Sequence, residues 1–83
     1  MFYKVSAVKA LDNFILLIIF ENGEEKYYDV KTLFDKFPPF RDLENVEGLF
    51  KQVKVDNGGY GISWNDDIDL SCNELWINGK LDI

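Results

Sequence analysis

The sequence predicts an α+β fold: an antiparallel sheet of about five strands built from two hairpins, two short helices on one face and a short C-terminal helical turn. Three observations predict it. Hairpin signals at Asn22-Gly23 and Asn57-Gly58-Gly59 each stand between β-prone runs. Between those hairpins, apolar residues recur at helical spacing. A Ser71-Cys72-Asn73-Glu74 capping box then opens a last apolar turn.

Tyr3 to Leu11 is the first expected strand, with Tyr3, Val5, Ala7 and Lys9 on one face and Lys4, Ser6 and Val8 on the other. Asp12-Asn13 is a turn, because both side chains bond local backbone. Phe14 to Phe20 is β-prone and does not alternate, so both faces of that strand are expected to be buried. Asn22-Gly23 turns the chain, since both positions tolerate positive φ, and Glu24 to Val30 returns. Val30, Leu33, Phe34 and Phe37 then make one helical stripe, which Pro38 and Pro39 end. Asn45 caps a second expected helix whose stripe is Val46, Leu49, Phe50 and Val53. Gln52 to Asp56 and Tyr60 to Trp64 form the second hairpin. Tyr60, Ile62 and Trp64 share a face, Asn65-Asp66-Asp67 interrupt it, and Ile68 and Leu70 resume it. Leu75, Trp76 and Ile77 form the last helical turn, closed by Asn78-Gly79, and Lys80 to Ile83 is a tail.

Composition narrows the function classes. The 83 residues suit one domain, 1–83, which at this size buries roughly 60% of its unfolded surface. With 47% of residues hydrophobic and 16% aromatic, the chain has the makings of a dense core. Its net charge of −6 repels phosphate backbones and anionic membranes, so neither nucleic acid nor membrane is an expected partner of the isolated chain. One cysteine makes no internal disulfide, which suits a reducing cytoplasm. The absence of histidine removes the commonest general base and metal ligand. No N-terminal signal pattern is present, and the apolar run is too short to span a bilayer.

The densest chemistry lies in Tyr60 to Ser71. Asp66, Asp67 and Asp69 could gather oxygen ligands, and Asp67-x-Asp69-x-Ser71 imitates the start of a calcium loop. The imitation fails at Cys72, where the loop needs glycine, and at Asn78, where it needs glutamate; a solvated turn is the simpler reading. Acid–base work by the same carboxylates would need a cleft that so short a chain hardly provides. Trp64 shares a face with Ile62 and Ile68 and reads first as a core aromatic; Trp76, on a terminal turn, is either lid packing or a partner hot spot. Cys72 follows a helix cap but has aspartates for neighbours, the wrong surroundings for a reactive thiol.

Several of these segments resemble one bacterial family of small proteins, domain of unknown function 2442. They are Lys4-Val5-x-x-Val8, Phe20-x-Asn22-Gly23-Glu24, Tyr28-Asp29-Val30, Leu49-Phe50 with Val53, and, most specifically, Gly61-Ile62-Ser63-Trp64 followed by Ile68-Asp69-Leu70-Ser71 and Leu75. The turn Asn65-Asp66-Asp67 departs from the simpler Pro- or Gly-containing turn of many members. The resemblance implies an α+β domain, sometimes fused to a helix-turn-helix segment, which these 83 residues do not include, and otherwise a partner of other small proteins, including a role beside toxin–antitoxin modules. It implies no activity, cofactor or catalytic residue.

The expectation is therefore a non-catalytic protein-interaction domain, a homodimer or an accessory or antitoxin-like half of a small bacterial two-protein module. Its expected partner surface combines Asp66, Asp67 and Asp69 with Tyr60, Trp64 and Trp76, acidic enough to select a basic partner. The apolar face of the Phe14 to Phe20 strand that helices leave uncovered is the motive for expecting self-association. A metal-assisted or acid–base enzyme using the Asp66/Asp67/Asp69 cluster is the alternative.

Overall fold

In the computed structural model, which describes residues 2–82, the chain is α+β with antiparallel pairing throughout, but the strands divide into two sheets. The first holds β1 (Val5–Ala10), β2 (Ile15–Phe20) and β3 (Glu25–Asp29); the second holds β4 (Lys54–Val55), β5 (Gly61–Asn65) and β6 (Ile68–Ser71). The expected single sheet of five strands is corrected on both counts. Asn65-Asp66-Asp67 reverse the chain rather than interrupt one strand: the Asn65 side-chain oxygen accepts from the Asp67 and Ile68 amides at 2.9 and 3.0 Å. Ile68–Ser71 thereby folds back on β5 as a strand of its own.

The first sheet follows its turn chemistry. Gly23 has φ +90°, and the Asn22 side chain accepts from the Glu24 amide at 2.9 Å. Leu16, Ile18 and Phe20 of β2 point inward and are fully buried, while Leu17 and Ile19 stand half-covered on the outer face. The expected alternation of β1 does not run its length. A bulge between Val5 and Ala7 moves the inward set from Tyr3 and Val5 to Val8 and Ala10, because one extra residue inverts every later side chain.

Neither expected central helix forms as drawn. After β3 the Asp29 carboxylate accepts from the Lys31 amide at 3.0 Å, and the Thr32 hydroxyl donates to the Asp29 carbonyl at 2.9 Å. This local bonding, with β-branched Val30 and Thr32, favours a tight 3₁₀ turn over Val30–Leu33. Phe37, forced into extended backbone by Pro38, leaves the stripe and stands 53% exposed. The second helix lies earlier than its stripe suggests. α1 is one turn, Asp42–Asn45, ending where a cap was expected, and Gly48 at φ +82° breaks the run beyond it. Leu43, not Val46, is the residue it buries.

α2 (Cys72–Asn78) starts at Ser71, whose hydroxyl accepts from the Glu74 amide at 3.1 Å. The expected tail is partly tied down. Lys80 exchanges both backbone hydrogen bonds with Tyr27, at 2.7 and 2.8 Å, on the outer edge of β3. Ile83, the last residue of that expected tail, lies outside the described residues.

The two sheets meet where β1 packs against β4 and β5. At Gly59, in the turn between those strands, an added Cβ would lie 2.6 Å from the Val5 carbonyl oxygen, so backbone touches backbone. One continuous core results, with Val5, Leu16, Ile18 and Phe20 from the first sheet and Ile62, Trp64, Ile68 and Leu70 from the second.

Candidate functional site

Two adjoining depressions of about 290 and 520 Å³ form one groove between α2 and the segment that follows β3. Leu33, Lys36, Glu74 and Asn78 line both. Tyr27, Tyr28 and Lys80 close one end; Phe37, Phe40, Asp69 and Leu70 form the other. The β3-to-turn junction places Leu33 here, the extended Phe37 before the prolines places the aromatic rim, and the Ser71 cap aims Glu74 inward.

Glu74 is the polar centre. Its capping-box role is only half as expected: its amide is capped by Ser71, but its carboxylate turns to the groove. There one carboxylate oxygen accepts from the Tyr28 hydroxyl and from the Asn78 amide, each at 2.8 Å. Tyr28 is 3% exposed. Burial first, then the hydrogen bond to Glu74 and its negative charge, push the phenol well above its ordinary pKa of 10.0. Tyr28 is therefore a fixed neutral donor. The linkage sign follows: the stability it contributes is complete below pH 10.0 and declines above it, because the unfolded chain releases that proton first. Tyr28→Phe is expected to cost about 2 kcal/mol near neutrality, since a bond to a charged acceptor is lost. It is also expected to flatten the alkaline decline, read by urea unfolding of both proteins at about pH 7 and about pH 11.

The six residues of the expected partner surface do not share one place. Trp64 is 5% exposed, its indole N–H donates to the Phe50 carbonyl at 2.9 Å, and its ring packs on Phe40 and Phe50. Its burial removes it from any partner surface, a correction that follows from its sharing the inward face with Ile62. Trp76 is half-buried, stacked on Tyr3 at 3.8 Å between centroids and edge-on to Phe20, with the Lys26 ammonium 3.9 Å from its ring. Tyr60 is 51% exposed, with Phe2 edge-on and Lys4 over its ring at 4.9 Å. These two aromatics thus lie against residues 2–4, away from the groove. Asp66 and Asp67 are exposed at the β5–β6 turn, and Asp69 alone reaches the groove.

The aspartates do not converge on a centre. Among the described residues, no group of three acidic, thiol or imidazole side chains is placed to hold a metal ion. Cys72 is buried, 1% exposed. Of the groove residues only Asp69 was an expected site residue; Tyr28, Leu33, Phe37, Phe40 and Glu74 are among those that sequence reasoning did not assign. The pre-proline Phe37 and the capping-box Glu74 were visible as structural signals, but Tyr28 and Glu74 are 46 positions apart and no local pattern joins them.

Among the described residues no helix is long and apolar enough to cross a membrane. Residues 5–80 match a family model described as "Protein of unknown function (DUF2442)". No curated protein and no solved structure matches the chain.

Proposed function

Because the chain belongs to the DUF2442 family, which carries no activity in its description, its role has to be read from its surface, and we propose that it is a non-catalytic protein-interaction domain. The observation that supports this is Phe37: a large aromatic side chain, 53% exposed, at the mouth of a groove floored by Leu33, Phe40 and Leu70. Apolar surface left open at a groove with a few fixed polar groups is what a partner covers. Asp69 and Glu74 on the same walls suit a basic partner protein. An accessory or antitoxin-like place in a small bacterial two-protein module is the version that the family resemblance implies.

A homodimer is the second reading, favoured by Leu17 and Ile19, which stand half-covered on the outer face of the first sheet. One experiment separates the two. The pure chain is first sedimented over a concentration series, then used as bait in extract of its native cell, and the captured protein is identified and purified. Phe37→Ala, which disturbs little of the core, is expected to weaken that reconstituted complex by about tenfold or more. A complex indifferent to this change sinks the groove reading, and a chain that only pairs with itself supports the second.

A further inference from the structure

We propose that the free edge of β6 takes an extended, basic peptide segment of a partner protein as a fourth strand, with one of its large apolar side chains seated between Leu33, Phe37 and Phe40. The inference rests on the interaction reading above and specifies how the partner is held. It starts from the hydrogen-bond phase of the second sheet. The Asp56 amide donates to the Gly61 carbonyl at 2.9 Å, so odd-numbered residues of β5 bond toward β4. The Cys72 amide donates to the Tyr60 carbonyl at 2.8 Å, so even-numbered positions face β6. In an antiparallel ladder these phases alternate. Ile62 therefore exchanges bonds with its register partner Leu70, and the N–H and C=O of Asp69 point away from β5.

Among the described residues nothing pairs with that side of β6. The other edges are less open. Lys80 occupies the edge of β3 at Tyr27, and β4 is two residues long and packed against β1. An unpaired edge is a template for strand addition, in which backbone bonds supply affinity and pockets for alternate side chains supply selectivity. Here the pocket is in place, since Asp69 and Leu70 of β6 line the same depression as Phe37 and Phe40.

Charge selects the occupant. Asp69 and Glu74 line the depression, Asp66 and Asp67 stand at the preceding turn, and Lys36 is the one basic side chain on its walls. A second copy adding β6 to β6 would bring both Asp69 carboxylates onto one short ladder between two chains of net charge −6, and like charges across strands repel. A segment alternating basic and apolar residues meets no such opposition.

The test uses the full chain, isotope-labelled, and peptides of about ten residues that alternate lysine or arginine with valine around a central phenylalanine, with aspartate–glutamate counterparts as controls. Basic peptides are expected to bind saturably, to shift the Ser71 and Asp69 amides, and to slow hydrogen exchange at Asp69. Asp69→Lys is expected to weaken them by about tenfold or more and to admit the acidic set. Asp69→Pro, which removes the outward N–H together with the carboxylate, is expected to abolish binding where Asp69→Ala, which removes the carboxylate alone, only weakens it, with the unbound spectrum reporting that the fold is kept. Equal binding of both peptide sets, shifts confined elsewhere, or no binding at millimolar peptide overturns the proposal, and the acidic edge then only keeps copies apart. If the edge fails while a natural partner still depends on Phe37, the interaction reading stands without it.

Discussion

Replacing Trp64 by alanine is expected to remove about 4 kcal/mol, a third or more of the stability of the protein. The indole is 5% exposed, packs on Phe40 and Phe50, and is tied by its N–H to the Phe50 carbonyl. Truncating a buried tryptophan costs about 4 kcal/mol through lost burial and the cavity left behind. A domain of this length has a total stability of about 4–12 kcal/mol, so the loss takes a third of it or all. Trp64→Phe separates the two contributions. It keeps most of the packing but leaves the Phe50 carbonyl without its donor, at about 1–3 kcal/mol. Urea unfolding followed by circular dichroism checks both; a Trp64→Ala protein as stable as the parent would refute the core described here.

Gly59→Ala is the second large effect. Gly59 sits at φ +81°, where a Cβ costs about 1–2 kcal/mol on its own. That Cβ would also stand 2.6 Å from the Val5 carbonyl oxygen and 3.2 Å from the Lys4 Cβ, neither of which is the yielding tip of a side chain. β1 and the β4–β5 turn have to separate, which brings the expected loss to about 3 kcal/mol. Gly23→Ala is the control. Its φ is +90°, but nothing lies within 4 Å of the added carbon, so only the conformational part, about 1–2 kcal/mol, is expected. The difference in urea midpoint between the two variants measures how tightly the sheets are pressed together; equal midpoints would mean they are not.

What the sequence made legible was local. Gly23, Pro38 and the Ser71 hydroxyl act through bonds and sterics within a few residues, and each does in the structure what its chemistry predicts, whereas Asn22 keeps negative φ and acts through its side-chain oxygen. Asn65 belongs to the same class, but an Asx turn has the same local chemistry whether it interrupts a strand or reverses it. The rest depended on partners distant in sequence. A bulge in β1 is invisible until β2 sets the register. A stripe such as Val46, Leu49, Phe50 and Val53 suits a helix or a series of turns equally well until Gly48 takes positive φ. For the site, the aspartates form a run in sequence, but only Asp69 reaches the groove, while the docking of α2 on β3 brings Tyr28 and Glu74 together. Alternation put Trp64 and Ile62 on one face; that this face is the interior follows from the second sheet closing on the first.

The shared interior carries a consequence for how the molecule opens. Neither the stretch before Gly48 nor the stretch after it owns a complete apolar layer, since Phe20 and Leu16 are covered from across the same cluster as Ile62 and Leu75. Fraying of one half strips the other of its covering, so the slowest-exchanging amides of β2 and β5 belong to a single cooperative unit whose opening is the unfolding of the whole.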